Sequence, residues 1–176
     1  MTDSATTILE TNRLLLRELT LDDLDDLATI YRDPEVRRFF PEGVLTYEET
    51  KEELEWVIEA QYGQYGFGVW ATIHKETGQF IGRCGLIPWT IGGRQEVEVA
   101  YLLDKPFWGQ GLATEAAQAI RDYAFASLGL SRLICLIDPD NHASRNVAAK
   151  IGMTLEQELD GIYGDGIPML IYAIHH

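Results

Sequence analysis

The segment 108–116, WGQGLATEA, constrains the fold of this 176-residue chain more than any other stretch. It joins an alternating run at 96–103, which predicts a strand, to an apolar run reaching about Leu128 with helical spacing. Two glycines at such a turn let a ligand approach the bare backbone, and the first helical turn offers unpaired N–H groups. We therefore predict an anion site, most simply for phosphate, with a ligand-free tight turn as the alternative.

Two familiar phosphate-binding motifs do not fit this segment. No Gly-Lys-Ser/Thr sequence follows the glycines, so the segment is not a Walker A loop. The sixth position of a dinucleotide-binding fingerprint would be Thr114 rather than Gly or Ala, and no suitably placed acidic residue ends the next strand.

The flanking sequence predicts an α+β fold, with a mixed, mostly antiparallel sheet flanked by helices. Residues 13–19 predict a strand, and capping-box patterns at Thr20 and Thr46 predict two helices, the second broken at 62–66. Between these helices, segment 35–43 is expected to cover part of the core, with a pocket wall as the alternative. Residues 67–103 predict an antiparallel meander in which Gly82 and Gly85 mark a bulge or a close approach.

The second half of the chain follows a different pattern. Strand 95–103, helix 111–128 and strand 132–138 form a βαβ unit, so we predict that the two strands pair in parallel. A short helix at 143–151 and strands at 153–159 and 169–174 complete the chain, with a turn at 160–168. A single domain over residues 1–176 is expected from the length.

Composition narrows the possible partners and the compartment. Fourteen basic against 28 acidic residues give a net charge of −14, which argues against nucleic-acid binding. The acidic runs at 22–26 and 48–59 are expected to be solvated, with attraction of a cationic substrate as the alternative. The sequence has no apolar stretch of membrane-spanning length and no recognisable signal peptide. Cys84 and Cys135 are expected to be buried free thiols. We therefore predict a cytoplasmic protein.

Motifs along nearly the whole chain, in order, resemble the GNAT superfamily of acyl-CoA N-acyltransferases. Its RimJ/RimL-like branch, which includes ribosomal-protein N-terminal acetyltransferases, is the most similar. The matching segments are TNRLLLR at 11–17, DPEV at 33–36, EVAYLL at 98–103, WGQGLATEA at 108–116, and the run of Asn141, Ser144, Lys150 and Gly152. Two positions depart from the superfamily pattern: Pro106 stands where Gln or Arg is usual, and Ala148 where many members have a tyrosine that protonates the thiolate.

The resemblance implies transfer of an acetyl group from acetyl-CoA to a primary amine, by direct attack on the thioester. Glu98, on the strand that enters the glycine turn, is the candidate general base, and Ser144 is the candidate acid or else a helix cap. The implied acetyl-CoA-binding residues are Tyr101, Leu102 and Leu103 through a backbone N–H, Gly109, Gln110, Gly111, Leu112, Ala113 and Thr114 at the pyrophosphate, and Asn141, Ser144 and Asn146 along the pantetheine arm.

Several alternatives stay open at this point. Lys105, Arg145 and Lys150 are unranked candidates for the 3′-phosphate, and Asn141 is alternatively a turn residue. The acceptor is a protein N-terminal α-amine or a small cationic amine, and a homodimer is possible by analogy. No metal is expected, because His74 and His142 have no second ligand spaced near them. A non-catalytic acyl-CoA-binding or sensing module is the alternative function.

Overall fold

An eight-stranded mixed sheet forms the centre of the fold. The computed structural model describes residues 5–161 and 166–176. The strands are β1 (Thr7–Glu10), β2 (Leu14–Arg17), β3 (Val69–His74), β4 (Gln79–Ile91), β5 (Arg94–Leu103), β6 (Arg132–Ile137), β7 (Thr154–Asp160) and β8 (Pro168–His175). Their order in the sheet is β1-β2-β3-β4-β5-β6-β8-β7, and every pairing is antiparallel except β5 with β6. The predicted α+β architecture and the parallel pair are confirmed.

Helical segments cover both faces of this sheet. The α-helices are α1 (Leu24–Tyr31), α2 (Tyr47–Trp56), α3 (Gly63–Tyr65), α4 (Leu112–Ala126) and α5 (His142–Lys150), and 3₁₀ turns lie at Leu21–Asp23 and Lys105–Phe107. Both predicted capping boxes form, with Thr20 and Thr46 as the N-caps. In the described part of the chain, no helix is long and apolar enough to cross a membrane.

Side chains on the two faces of β5 belong to different cores. Val99 and Leu103 pack with α4 and α5, whereas Ala100 and Leu102 pack with α1 and α2. Because side chains alternate along a strand, Glu98 shares its face with Ala100 and Leu102. The candidate base therefore lies on the α1–α2 side of the sheet, opposite the helix that follows the glycine turn.

The strands β5 and β6 meet as a parallel pair at Glu98 and Ile134. Beyond this point side chains connect the two strands. The Glu98 Oε1 accepts a 3.3 Å hydrogen bond from the Leu136 N–H, and the Cys135 thiol donates to the Val99 carbonyl at 3.2 Å. Because side chains rather than main-chain groups make these two bonds, the strands are separated by a gap at this point.

Three structural details differ from the sequence predictions or refine them. Strand β1 was not predicted, because it is a short edge strand whose pairing with β2 is irregular. The second helix does not break at residue 62, since a π-helical segment Val57–Tyr62 and α3 continue it to Gly66, which is left-handed. The close approaches at Gly82 and Gly85 are confirmed, because a Cβ atom would lie 2.1 Å and 2.2 Å from backbone oxygens there.

The remaining outcomes concern the cysteines, the acidic runs and the last turn. Cys84 and Cys135 are buried free thiols, as predicted. The acidic runs are only partly solvated, because Asp23 is buried and pairs with Arg17 at 2.6 Å. The turn predicted at 160–168 includes residues 162–165, which lie outside the described residues.

Candidate active site

A cavity of about 840 Å³ passes through the sheet at the gap between β5 and β6. Its walls come from both faces: Val57 and Val69 belong to the α1–α2 core, whereas Leu112 and Val147 pack in the α4–α5 core. Such a passage gives two ligands access to a common point in the sheet, one from each face. Of the thirteen site residues inferred from the sequence, all but Gln110 line this cavity.

The glycine turn presents open backbone to the cavity. Gly109 and Gly111 adopt left-handed φ angles of 72° and 76°, and nothing lies within 4 Å of a Cβ built on Gly109. Gly111 is the N-cap of α4 and, having no side chain, leaves the N–H groups of the first turn without a side-chain acceptor. These features fit an anionic group such as the pyrophosphate of CoA.

The segment before the glycines is anchored to the end of β5. The indole Nε1 of Trp108 donates a 2.7 Å hydrogen bond to the Leu103 carbonyl. Pro106 lies in the 3₁₀ turn capped by Asp104, and its carbonyl accepts from the Gln110 side chain at 3.0 Å. Pro106 and Gln110 therefore shape the turn from outside, which explains why Gln110 does not line the cavity.

The N-terminal motif at 11–17 contacts the same turn, although the two segments are about a hundred residues apart in the sequence. Arg13 donates through Nη1 to the Gln110 carbonyl at 2.9 Å and through Nε to Glu115 Oε2 at 2.7 Å. Thr11 donates its hydroxyl proton to Glu115 Oε1 at 2.6 Å. Burial disfavours the charged form of Glu115, but these hydrogen bonds lower the pKa of its carboxyl overall. The glycine turn is thus braced by residues that do not line the cavity.

Glu98 lies where the cavity crosses the sheet. Its Oε2 accepts a 2.7 Å hydrogen bond from the indole of Trp89, and its Oε1 faces the Leu136 N–H. Burial raises the pKa of the Glu98 carboxyl to about 7, although both hydrogen bonds and the positive charge of Arg83 oppose the shift. A carboxyl with this pKa exchanges protons readily near neutral pH.

Two of the three predicted backbone N–H groups at the end of β5 point into the gap. The Asp104 N–H donates to the Ile81 carbonyl beside β4, so alternation along the strand directs the Leu102 N–H toward β4 as well. The N–H groups of Tyr101 and Leu103 consequently point toward β6. Leu102 lines the cavity through its side chain rather than as a backbone donor.

The start of α5 forms the opposite wall. Asn141 is the N-cap, and its Oδ1 accepts from the Ser144 N–H at 3.1 Å, so the alternative role of Ser144 as the cap is wrong. The Tyr101 hydroxyl donates to the Ser144 carbonyl at 3.0 Å, and burial raises the pKa of Tyr101 well above its ordinary value. Ala148 is fully buried among core residues.

The three cations considered for the 3′-phosphate differ in whether they line the cavity. Lys150 lines the cavity. Lys105 instead pairs with Glu35 at 2.5 Å, and Arg145 donates to the Tyr172 hydroxyl and the Pro139 carbonyl at 3.2 Å. Lys150 is the cation of the three that faces the cavity.

The α1–α2 half of the cavity is the part that the sequence analysis largely missed. Segment 35–43 both covers the core and forms a pocket wall: Val36 packs in the core, and most of the segment lines the cavity. Glu53, which was assigned to a solvated helix face, instead accepts a 2.7 Å hydrogen bond from the Tyr31 hydroxyl at the cavity wall. Arg37, Arg83 and Trp89 also line it without having been singled out.

One sequence signal would have located Trp89. The two-residue turn Gly92-Gly93 has positive φ at both positions, as tight hairpins require, and fixes the register of β4 against β5. Ile87 then lies opposite Glu98, and Trp89 follows two residues later on the same face. The buried arginines offered no comparable local pattern.

Comparison with known proteins agrees with this geometry. The family model described as "Acetyltransferase (GNAT) domain" matches residues 13–154. The chain belongs to the GNAT acetyltransferase family. Residues at both the glycine turn and the gap between β5 and β6 fall within the matched region, so this GNAT enzyme is an acetyl-CoA-dependent N-acetyltransferase.

Individual relatives extend the comparison over most of the chain. The uncharacterized protein YkkB of Bacillus subtilis is 36% identical over 153 residues, which cover 85% of this chain and 87% of YkkB. The GNAT-family acetyltransferase structure from Bacillus anthracis superposes with a TM-score of 0.80 at 26% identity, covering 95% and 97% of the two chains. RimL, a ribosomal L7/L12 alpha-N-protein acetyltransferase solved with coenzyme A, shares the fold at 21% identity, with a TM-score of 0.78 and coverage of 96% and 97%.

Proposed function

We propose that this GNAT acetyltransferase acetylates a primary amine by direct attack on the thioester of acetyl-CoA, with Glu98 as the general base. The observation that carries the proposal is the position of the Glu98 carboxyl, at the point where one cavity joins the two faces of the sheet. Its hydrogen bonds to Trp89 and to the Leu136 N–H hold it there.

An acceptor amine needs to lose a proton before it attacks. At pH 7 this costs about 4.6 kcal/mol for a lysine-like amine of pKa near 10.4, and about 1.4 kcal/mol for an α-amine of pKa near 8. A carboxyl whose pKa is about 7 is partly ionised at neutral pH and can take up that proton. Glu98 suits this role better than an exposed glutamate would.

The acetyl-CoA molecule is proposed to enter from the α4–α5 face. Its pyrophosphate would contact the N–H groups from Gly109 to Thr114, and its pantetheine arm would run past Asn141 and Asn146 into the gap. There the N–H of Tyr101 or Leu103 would donate to the thioester oxygen, as in other oxyanion sites. Because these donors belong to the sheet, they are in place before the acceptor binds.

Protonation of the departing thiolate is proposed to be the lesser demand. The conjugate thiol has a pKa of roughly 8.5, so the thiolate needs little assistance at neutral pH. Ser144 lines the cavity, and the Tyr101 hydroxyl lies close by, bonded to the Ser144 carbonyl. We assign the acid role to Ser144 and expect it to matter less than the base.

A screen of acceptors tests this proposal. The purified protein is mixed with acetyl-CoA and a panel of primary amines that includes peptides with free N-termini, polyamines and amino acids. Release of the free thiol and the mass of the acetylated product are measured together. Turnover of at least one primary amine, lost in Glu98→Gln, is expected; turnover that is equal in the wild type and the variant would contradict the role of Glu98.

A further inference from the structure

The end of the cavity on the Glu98 face abuts two buried arginines from separate elements. Arg37, between α1 and α2, is 2% exposed, and Arg83, on β4, is 6% exposed. Arginine is almost never buried to this degree unless an anion compensates its charge. The surroundings of both guanidinium groups therefore indicate what this end of the cavity binds.

The compensation within the chain is loose. Arg83 donates through Nε to the Tyr31 hydroxyl, and its Nη2 lies 3.5 Å from Glu53. Arg37 donates through Nε to the Gly43 carbonyl at 2.7 Å, and its Nη2 lies 3.4 Å from Glu42, whose side chain is 57% exposed. Close pairs of arginine and carboxylate have distances nearer 2.7–2.9 Å. Neither guanidinium has a close bidentate carboxylate partner among the described residues.

Four carboxylates of the described part of the chain also line this end of the cavity: Glu35, Glu42, Glu53 and Glu98. Glu35 is held by Lys105 at 2.5 Å, and Glu98 by the Trp89 indole. Arg38 adds a third guanidinium, 5.2 Å from the ring of Phe39. The two buried guanidinium groups thus lie at a cavity end that carries charges of both signs, and neither has a carboxylate closer than 3.4 Å among the described residues.

Aromatic rings hold the two buried guanidinium groups in place. The Phe40 ring lies 4.3 Å from the Arg37 guanidinium and 6.0 Å from that of Arg83. The Tyr31 ring lies 4.8 Å and 5.6 Å from the same two groups. Groups fixed in this way lose little freedom when they bind a ligand, and the planar guanidinium matches a carboxylate better than an ammonium does.

We propose that Arg37 and Arg83 form a subsite for a carboxylate on the amine acceptor. The substrate class is then an amine that also carries a carboxylate, either a free amino acid or a peptide with an acidic side chain near its N-terminus. This inference rests on the proposed function, because it places the acceptor amine at Glu98. Of the two acceptor classes expected from the sequence, it disfavours the small cationic amine and is compatible with the N-terminal α-amine of a peptide.

Equilibrium binding tests the subsite without requiring turnover. Calorimetry compares matched ligands with the wild-type protein: N-acetyl amino acids, their N-acetyl carboxamides, and N-acetyl dipeptides with and without an acidic second residue. At least tenfold tighter binding of the carboxylate member of one pair is expected. The pair that shows it distinguishes the free amino acid from the acidic peptide. Binding of the carboxamides that equals or exceeds that of the acids, across all pairs, would overturn the proposal.

Variants assign the effect to the two arginines. Arg37→Gln and Arg83→Gln are expected to weaken carboxylate binding at least tenfold and to leave carboxamide binding unchanged, whereas Arg32→Gln, at the exposed end of α1, changes neither. Should a glutamine variant fail to fold, Arg37→Lys and the wild-type comparison still decide the question. Equal losses for acids and carboxamides would indicate a purely structural role and contradict the subsite.

Turnover separates failure of the subsite from failure of the proposed function. An amino acid and its carboxamide are compared as acceptors; the carboxamide has the more easily deprotonated amine, so a preference for the acid cannot come from basicity. Faster acetylation of the carboxamide, combined with carboxamide binding that equals or exceeds that of the acid, overturns the subsite and leaves the acetyltransferase function standing. Tight binding of carboxylates without acetylation of any amine contradicts the proposed function and supports the subsite.

Discussion

The indole Nε1 of Trp89 donates a 2.7 Å hydrogen bond to Oε2 of Glu98, across the hairpin formed by β4 and β5. This bond favours the ionised carboxylate, whereas burial favours the protonated form and raises the pKa of Glu98 to about 7. Trp89 therefore limits how far burial raises the pKa of the carboxyl that we propose as the base.

Trp89→Phe removes this donor and keeps an aromatic ring. Because a hydrogen bond to a charged group contributes about 1.5–3 kcal/mol, the pKa of Glu98 should rise by about one unit or more. The acidic limb of the profile of kcat/KM against pH is expected to move to higher pH by that amount. Trp108→Phe is the matched control, since it removes a 2.7 Å indole bond to the Leu103 carbonyl instead. If the acidic limb of kcat/KM lies at the same pH in Trp89→Phe as in Trp108→Phe, the Trp89 indole does not lower the pKa of the catalytic group.

Arg13→Gln tests the brace behind the glycine turn. The variant loses the bonds to Gln110 and Glu115, so the first turn of α4 should bind the pyrophosphate less well. We expect KM for acetyl-CoA to rise about tenfold, which corresponds to about 1.4 kcal/mol, with kcat little changed. S-acetylpantetheine, which lacks the pyrophosphate, should be used equally by variant and wild type. Lys75→Gln is the control, because among the described residues the Lys75 ammonium contacts Glu10 and the Thr11 carbonyl but neither Gln110 nor Glu115.

Lys150→Gln tests whether Lys150, the one of the three candidate cations that lines the cavity, binds the 3′-phosphate. The loss of one ammonium group should raise KM for acetyl-CoA several-fold and leave KM for the 3′-dephospho form unchanged. Arg145→Gln should not discriminate between the two donors, since its guanidinium is engaged with Tyr172 and Pro139. If Arg145→Gln discriminates and Lys150→Gln does not, the assignment of the 3′-phosphate to Lys150 is wrong.

The raised pKa of Glu98 also predicts how stability depends on pH. A carboxyl whose pKa is higher in the folded state favours folding most below its unfolded pKa, near 4.5, and this contribution is lost as the pH rises through about 7. Glu98→Gln removes the effect. The Tm of the variant minus the Tm of the wild type should therefore be more positive at pH 8 than at pH 5. A difference in Tm that is independent of pH would show that the pKa of Glu98 is not raised.

The half of the site near the cofactor could be predicted from the sequence because it follows the chain. Segment 108–116 places its glycines next to β5, and Asn141 and Ser144 come directly after β6, so neighbouring motifs end at one edge of the sheet. The family resemblance assigned roles to these residues; the structure places them on one cavity wall, and their roles stay predictions. Even here the left-handed φ angles and the direction of each N–H came only from the structure.

The acceptor half could not be predicted in the same way. Arg37, Glu53 and Arg83 come from a connection, a helix and a strand. Arg37 and Glu53 have ordinary charged sequence contexts, whereas Arg83 is a single charge in the largely apolar strand β4 and has no partner nearby in the sequence. Their burial results from packing of α1, α2 and β4 around Tyr31 and Phe40, which no local periodicity reveals. For the same reason, Arg13 and Glu115 each lie in a matching motif, but the contact between them could not be predicted from the sequence.

The pH dependence of Glu98→Gln tests the central claim most directly. In the wild type, kcat/KM should rise about tenfold per pH unit up to about 7 and then level off as the Glu98 carboxylate becomes fully ionised. In Glu98→Gln we expect kcat to fall by about 10²–10⁴-fold and this limb to disappear, with the affinity for CoA unchanged. A variant that keeps the wild-type kcat and the same acidic limb would contradict the assignment of Glu98 as the base.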